Sequence, residues 1–381
     1  MLPWGARASL MLHLWVSPAR INAMRSLRAT QHNPDRSTER REKTKSDPTS
    51  EPRSQGGTRG AVFHGGGVSV DHRLSLVHIQ EAMHIIDPVF LHTPQYRAEP
   101  LESVLGCRLL VKVETVNPIR SFKGRGASYF LAGVPSGTRL ICASAGNFGQ
   151  AMAYACRSKG VHLIVYASVN ASPLKVERMK DLGAEVRLHG EDFDAAKAEA
   201  KRVAPLGGIR MVEDSLEAAT GEGAGTIGLE LLQWSEPLDI VLVPLGNGAL
   251  LTGVGRWLKA HSPATQVVGV AAVGAPAMVE SWQAGRIVEH RTVHTIADGL
   301  AVRVPVPEAV ADMCGTVDDA ILVSDQAMLN GMKLLHQHLG LVVEPSAAVG
   351  IAALLEYPVR FMGQSVATVL CGGNRVSPRS S

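Results

Sequence analysis

Length, composition and charge describe a chain of enzyme size. It has 381 residues, of which 45% are hydrophobic and 4% aromatic, and its formal net charge is +3. Such a chain can bury a sizeable core of aliphatic side chains. The charge is nearly balanced, and the main part of the chain shows no pattern of basic and aromatic residues that would form a nucleic-acid-binding surface. Nucleic acid is therefore not expected as a partner. The five cysteines show neither metal nor disulfide spacing, which predicts a reducing, cytoplasmic setting.

The N-terminal region differs from the rest of the chain. Eight lysines and arginines lie between residues 20 and 45, no acidic residue precedes Asp35, and a stretch rich in Ser, Pro and Gly follows. This composition is compatible with a transit peptide, but it favours a solvated, disordered extension or a translation start that is assigned too far upstream. The apolar patch at 10–16 is too short to span a membrane. We therefore predict that 1–75 is a disordered or mis-called extension outside the fold, and we expect no membrane partner.

From about residue 76 onward, strand-like and helical patterns alternate. Apolar, strand-like runs occupy 108–114, 140–142, 161–166, 239–244 and 365–369. Helical patterns occupy 127–132, 151–157, 176–182, 192–203 and 251–260. Ser172 followed by Pro173 is a typical helix start, with Ser at the N-cap. This alternation predicts an α/β fold with mostly parallel sheets flanked by helices, and ligands at the carboxyl ends of the strands.

Lys123 is the first candidate catalytic residue. It lies in the segment Asn117–Gly126, between a strand-like run and a helical pattern, and element junctions of this kind often display functional groups. A lysine amine can act as a nucleophile and form a Schiff base with a carbonyl group such as that of pyridoxal phosphate. An isolated lysine in a basic run is more often a solvated side chain, so Lys123 alone decides nothing.

Three turns elsewhere in the chain strengthen the case for a ligand site. Small residues at 143–150 precede a helix, whose N-terminus attracts a carboxylate. The glycine-rich turn at 245–250 follows a strand and precedes a helix, which is the context of a phosphate-binding loop. The turn at 370–374 contains Cys371 at a strand end, where a cysteine is usually a small buried hydrophobic residue. The G-x-G-x-x-G letters at 223–228 follow an acidic stretch instead of a strand, so nicotinamide binding is disfavoured.

Taken in order, the motifs Ser-Phe-Lys, Ser-Ala-Gly-Asn, Gly-Asn-Gly-Ala-Leu, Glu-Pro-Ser and Cys-Gly-Gly-Asn resemble those of the fold type II pyridoxal phosphate enzymes. The resemblance is strongest to the serine/threonine dehydratases and extends from about 79 to 375. It implies a two-domain α/β fold similar to the tryptophan synthase β chain. The large cofactor domain would comprise 76–138 and 213–381, and a small mobile domain would comprise 139–212.

The resemblance also implies roles for single residues. Lys123 would bind the cofactor through a Schiff base and then remove the α-proton of the substrate. Phe122 would pack against the cofactor ring, and Cys371 would face its nitrogen. Asn147 would hydrogen-bond the ring oxygen of the cofactor. The substrate carboxylate would be bound by the turn of Ser144, Ala145, Gly146 and Asn147. The cofactor phosphate would be bound by the backbone N–H groups of Gly246, Asn247, Gly248, Ala249 and Leu250.

The implied reaction is the α,β-elimination of a β-hydroxy L-amino acid such as L-threonine or L-serine, which yields a 2-oxo acid and ammonia. A thiol at Cys371 cannot stabilise a protonated pyridine ring as a carboxylate would, and the resulting weaker electron sink suits elimination. Hydroxide needs a proton in order to leave, and in this family the cofactor phosphate is placed to provide it.

Several positions depart from the family pattern. Arg120 stands where many relatives have glycine, and Asn247 and Ala249 interrupt a phosphate loop that is often all glycine. Phe148 replaces the histidine common after Asn147, which favours a bulkier, aryl β-substituent. Ala145 replaces the serine of racemases, so we expect weak racemisation. No carboxylate follows the strand-like run 267–273, so we predict no metal at that site.

Alternatives remain open at this point. A β-replacement synthase of the cysteine-synthase type shares the fold and the lysine. A threonine-synthase-like enzyme would act on a phosphorylated substrate, and the lack of extra arginines near Ser144 argues against it. A non-catalytic protein that binds pyridoxal phosphate is the third alternative. For the dehydratase we expect a homodimer or higher homo-oligomer with a small-molecule amino acid as substrate.

Overall fold

A computed structural model describes residues 72–374, and these residues form two sheets flanked by helices. The strands are β1 (Gln95–Arg97), β2 (Arg108–Val113), β3 (Arg139–Ala143), β4 (His162–Ala167), β5 (Glu185–Leu188), β6 (Arg210–Val212), β7 (Ile240–Pro244), β8 (Gln266–Ala272), β9 (Asp319–Val323) and β10 (Ser365–Leu370). The helices are α1 (Leu76–Ile85), α2 (Glu99–Leu105), α3 (Lys123–Ala132), α4 (Asn147–Lys159), α5 (Pro173–Asp181), α6 (Phe193–Leu206), α7 (Ala218–Leu231), α8 (Ala249–His261), α9 (Ala277–Ala284), α10 (Pro307–Asp312), α11 (Asp325–Leu339), α12 (Val349–Glu356) and α13 (Pro358–Phe361). Short 3-10 helices occupy Pro88–Phe90, Asp298–Leu300 and Pro345–Ala348.

The larger sheet has six strands in the order β1-β2-β10-β7-β8-β9. Its pairs are parallel except β1 with β2, which is antiparallel. Strands β7, β8 and β10 are almost wholly buried, as expected for parallel strands covered on both faces. The smaller sheet has four parallel strands in the order β5-β4-β3-β6. The predicted α/β fold with mostly parallel sheets is confirmed.

The four-stranded sheet spans 139–212, the segment predicted to be the small domain. Its strands β3 and β4 are buried against helix α4 and, on the other face, against helix α6. The flanking segments build the six-stranded sheet, so two separate sheets correspond to the two predicted parts of the chain. That 139–212 moves as a unit stays a prediction.

Glycines bring helix α7 very close to its neighbours. A Cβ on Gly223 would lie 2.7 Å from the Cα of Gly126 in α3, and a Cβ on Gly253 of α8 would lie 2.1 Å from the carbonyl oxygen of Gly221. The letters G-x-G-x-x-G at 223–228 therefore lie within a buried helix and serve helix packing. This agrees with the sequence argument against a nicotinamide site.

Beneath helix α3 lies a fully buried cluster of charges. Arg125 donates hydrogen bonds to Glu114 at 2.8 Å and 2.9 Å and to Glu230 at 2.7 Å and 2.9 Å. Lys112 also pairs with Glu230, at 2.5 Å. Burial alone would raise the pKa of Glu230, but the hydrogen bonds and charges of Arg125 and Lys112 outweigh it and hold this pKa at about 2. The cluster ties β2, α3 and α7 together.

Some element boundaries differ from the sequence predictions. Helices α3, α4 and α8 begin two to four residues earlier than predicted, because residues assigned to the preceding turns form their first turns. Ser172 precedes α5 as predicted, but its side chain makes no capping hydrogen bond, and its hydroxyl is buried without a partner among the described residues.

The predicted N-terminal extension lies outside the described residues except for its last four. Of these, Leu74 is fully buried, Ser75 caps α1, and the Arg73 side chain hydrogen-bonds to Asp312 at 3.0 Å. The fold therefore begins before residue 76. No helix within 72–374 is both long enough and apolar enough to cross a bilayer.

Candidate active site

Lys123 is the first residue of α3 and lies beside the turn that follows β10. The Phe122 backbone N–H donates to the Cys371 carbonyl at 3.0 Å, and Ser121 forms an isolated β-bridge with Gly372. The Lys123 Nζ lies 4.6 Å from the centre of the Phe122 ring. Two segments about 250 positions apart in the chain are therefore joined at the lysine predicted to be catalytic.

Asp214 is the partner of Lys123, and sequence reasoning missed it. Its Oδ2 pairs with Lys123 Nζ and accepts a hydrogen bond from Asn247 Nδ2 at 2.6 Å. Its Oδ1 is buried and has no hydrogen-bond partner among the described residues. Asp214 comes two residues after the end of β6, on the carboxyl side of a parallel strand. That position was the available signal, because such strand ends carry ligand-binding groups.

The turn at Ser144 leaves space for a ligand. The Ser144 Oγ accepts hydrogen bonds from the backbone N–H groups of Gly146 at 3.2 Å and Gly149 at 2.9 Å. Helix α4 begins at Asn147, and because Ser144 Oγ binds the Gly149 N–H of its first turn, the N–H groups of Asn147 and Phe148 are the ones left for a ligand. A Cβ built on Gly146 meets no atom within 4 Å. The open space and the free helix N-terminus together fit the predicted carboxylate site.

Asn147 is fixed by two neighbours from the C-terminal part of the chain. Its Nδ2 donates to Glu344 Oε1 at 2.7 Å, and its Oδ1 accepts from Asn374 Nδ2 at 2.9 Å. Burial raises the pKa of Glu344, and the negative charge of Asp298 raises it further. Glu344 also accepts from Ser346 Oγ at 2.8 Å. Glu344 and Asn374 are therefore site residues beyond those predicted, and the predicted Glu-Pro-Ser motif contains the first of them.

Cys371 lies in the same neighbourhood, adjacent to Gly372, whose Cβ would be 2.3 Å from Glu344 Oε1 and 3.0 Å from Asn147 Nδ2. The Cys371 side chain is buried, and burial together with the negative charge of Glu344 raises the pKa of its thiol. The group therefore remains a neutral S–H. This is the property on which the sequence argument for elimination depends.

The predicted phosphate loop connects β7 to α8. Gly248 has φ of 104°, a region that glycine adopts without strain, and α8 begins at the next residue, Ala249. A Cβ on Gly246 would lie 2.3 Å from the Gly299 carbonyl oxygen, so only glycine fits there. Asn247, which interrupts the glycine pattern of this loop, does not have a positive φ, and its side chain binds Asp214.

Two departures from the family pattern have visible consequences. Arg120, at a position where many relatives have glycine, has φ of 52°, which is left-handed backbone. Such a conformation costs a non-glycine residue about 1–2 kcal/mol. The Phe148 ring is buried and borders the small space around Lys123 together with Phe122 and Thr220. The position of Phe148 therefore makes the site more apolar on the lysine side.

Five of the predicted site residues thus form two groups. Phe122, Lys123 and Asn247 meet around Asp214, whereas Asn147 and Cys371 meet around Glu344. Among the described residues, no three His, Cys, Asp or Glu side chains are grouped as metal ligands. The absence of a metal after the strand at 267–273 remains a prediction.

The chain is similar in sequence and in fold to known proteins. The L-threonine dehydratase biosynthetic IlvA of Halalkalibacterium halodurans is 31% identical over 75% of the chain and 71% of its own length. The corresponding Escherichia coli protein is 34% identical over 74% of the chain, and the chain spans 56% of its length. The crystal structure of the T.th. threonine deaminase superimposes with a TM-score of 0.75 at 33% identity, over 80% of this chain and all of that one.

A family model for pyridoxal-phosphate dependent enzymes matches residues 86–372. This span includes both sheets and every predicted site residue. The match, the relatives and the structural similarity agree with the resemblance found in the motifs. The chain belongs to the family of pyridoxal-phosphate dependent enzymes, with the fold of the threonine deaminases and pyridoxal 5'-phosphate as its cofactor.

Proposed function

We propose that the protein catalyses the α,β-elimination of a β-hydroxy L-amino acid such as L-threonine or L-serine, which yields a 2-oxo acid and ammonia. The observation that carries the proposal is the position of Lys123, which is held by Asp214 beside the loop of Asn247. Relatives named threonine dehydratase or ammonia-lyase support the same reaction. The buried neutral thiol of Cys371 favours elimination over reactions that need a stronger electron sink.

The residues present fit the cofactor. The helix N-terminus at Ala249 and the glycines before it would bind the phosphate. Because Gly246 and Gly248 have no side chains, the N–H groups of this loop are not covered. Phe122 would pack on the ring, Asn147 would donate to the ring oxygen, and Cys371 would face the ring nitrogen. When bound, the cofactor supplies a reactive carbonyl carbon and a ring that withdraws electrons from the substrate α-carbon.

Different residues of the protein would transfer the α-proton and bind the substrate carboxylate. Lys123 Nζ accepts the α-proton, and Asp214 orients that amine through its Oδ2. The N–H groups at the start of α4 hold the substrate carboxylate in the space above Gly146. Loss of the α-proton and of the β-hydroxide, which leaves as water, gives an enamine. Hydrolysis of this enamine releases ammonia and the 2-oxo acid.

The same proposal covers three finer points. Ala145 provides no second acid or base on the opposite face, so racemisation should be weak compared with elimination. The five cysteines are unpaired, which supports a reducing, cytoplasmic setting. We also propose a homodimer or larger homo-oligomer, as predicted from the family resemblance.

Absorption spectroscopy tests the role of Lys123. The purified protein should show the visible band of a pyridoxal phosphate Schiff base, and Lys123→Ala should lose both the band and ammonia release from L-threonine and L-serine. Asp214→Asn should keep the band but shift the pH profile of turnover, because it removes the negative charge beside Nζ. A protein that stays colourless after addition of the cofactor would refute the proposal.

A further inference from the structure

A cavity of about 420 Å³ lies next to the candidate site. This volume falls within the range of about 300–1,000 Å³ that is usual for small-molecule sites. Its walls come from the start of α6, the end of β6 and the loop 291–306. Most of the wall is apolar, formed by Phe193, Met211, Val293, Val302, Val304 and Val306.

The charged side chains around this cavity are largely paired with one another. Arg303 donates to Asp194 at 2.6 Å, and Lys197 pairs with Glu213 at 2.5 Å. Asp192, Arg291 and His294 also border the cavity but are exposed to solvent, so they are available to water. Apart from Asp214, whose Oδ1 is buried without a partner among the described residues, a charged wall group would have to leave its partner or give up water in order to bind a charged ligand. The cavity therefore favours an apolar occupant.

The cavity borders the residues that act on the substrate. Ala143, Asp214 and Asn247 are part of its wall. Ala143 directly precedes the Ser144 turn, Asp214 binds Lys123, and Asn247 belongs to the phosphate loop. A side chain that extends from the β-carbon of an amino acid held at the Ser144 turn would therefore have the cavity within reach. The methyl group of threonine would fill only a small part of it.

We infer that the preferred substrates are β-hydroxy L-amino acids whose β-carbon carries a large apolar group, such as an aryl ring. This inference rests on the proposed function and specifies its substrate class. Phe148, which suggested the same class in the sequence, lies on the lysine side of the site. The larger cavity provides the volume, and Val302 is its specificity-determining residue because it is half-buried in the wall beside Ala301.

Steady-state kinetics with L-threonine and L-threo-3-phenylserine form the first test. The wild-type protein should have the higher kcat/KM for phenylserine. Val302→Phe should fill the cavity and lower that value at least about tenfold, while kcat/KM for threonine changes less than about threefold. Val359→Phe is the matched control, because Val359 is 85% exposed on α13. This control should leave both values unchanged.

A binding measurement separates this inference from the reaction itself. L-phenylalanine and L-2-aminobutyrate lack the hydroxyl leaving group, so their binding to the holoenzyme can be measured without turnover. L-phenylalanine should bind at least about tenfold more tightly than L-2-aminobutyrate, and Val302→Phe should abolish the difference.

The outcomes are distinguishable. Equal or better turnover of threonine, together with equal binding of the two analogues, would refute the substrate class but leave the proposed elimination intact. Selective binding of L-phenylalanine without ammonia release from threonine, serine or phenylserine would refute the elimination and support the apolar pocket.

Discussion

Gly246 lies at the point where the phosphate loop passes the backbone of the 3-10 helix at Asp298–Leu300. No larger residue fits at Gly246, because a Cβ would lie 2.3 Å from the backbone carbonyl oxygen of Gly299. A backbone oxygen cannot move away as the end of a flexible side chain could. At Arg120 the reverse holds, since a bulky residue occupies left-handed backbone. Backbone hydrogen bonds from Arg120 N–H to Asn117 at 2.9 Å and from Gly373 to Arg120 at 2.9 Å hold that conformation. Single residues thus set the geometry of two loops of the candidate site.

Gly246→Ala should weaken cofactor binding. The added methyl group would displace the loop, and overpacking of this kind costs about 1–3 kcal/mol, or about 5- to 150-fold in the dissociation constant. Titration of the apoprotein with pyridoxal phosphate would measure the effect. Gly133→Ala is the matched control, because its Cβ would meet only one atom, at 4.0 Å. Unchanged affinity in Gly246→Ala would contradict the close approach.

Both buried charge and apolar packing hold helix α3 in position. Arg125 lies two residues after Lys123 and is enclosed by Glu114 and Glu230. Each of these carboxylates comes from a different part of the fold, so the ion pairs fix the orientation of α3 relative to β2 and α7. Lys123 is in this way positioned by a network that contains none of the atoms expected to react.

Glu230→Gln should destabilise the fold by about 3–5 kcal/mol, because it leaves buried cations without one of their partners. The contribution of Glu230 depends on pH. Its pKa is about 2 in the folded protein and 4.5 ordinarily, so its stabilising effect is complete above pH 4.5 and is lost as the pH falls from 4.5 through 2. Chemical denaturation at several pH values would show wild type and variant converging in acid.

Glu185→Gln serves as the control for this experiment. Glu185 pairs with Arg187 on the surface of β5, where both side chains are about two-fifths exposed. Its replacement should change stability little at any pH. If both variants had the same effect, the buried cluster would have no special role.

At the scale of the whole molecule, side-chain contacts connect the 139–212 segment to the rest of the chain across the site. Lys175 of α5 pairs with Asp298, Arg178 donates to Asn374 at 2.9 Å, and Arg303 donates to Asp194 at 2.6 Å. These contacts are polar and partly exposed. Such contacts can be broken and re-formed at low cost, which suits a segment that opens to admit substrate.

Lys175→Met should lower kcat/KM about two- to fivefold without loss of the cofactor band. The ion pair is partly exposed and is worth at most about 1 kcal/mol, so the variant should favour the open form and leave global stability nearly unchanged. Hydrogen exchange of 139–212 with and without substrate would detect the opening. Arg187→Met is the control, because it breaks a pair contained within that segment. Equal changes in kcat/KM in both variants would contradict a role of the Lys175–Asp298 ion pair in holding the segment closed.

The sequence by itself determined the fold class and the family, and it predicted the central lysine. Strand–turn–helix patterns are local, and each glycine turn needs only its own neighbours in order to be recognised. The chemistry of Lys123 and of the turns at Ser144 and Gly246 follows from motifs whose letters stand next to one another. For this reason the turns that contain Ser144, Gly246 and Cys371 could be predicted to follow strands, and each of them directly follows a parallel strand.

The tertiary structure alone decided which residues meet across the chain. Asp214 pairs with a lysine 91 positions away, and Glu344 binds an asparagine 197 positions away. The apolar cavity joins segments near 193, 211 and 302, none of which forms a motif. Pairings of this kind depend on how the two sheets and their connecting loops pack, because burial and charge compensation act between distant parts of the chain. No local pattern in the sequence records them.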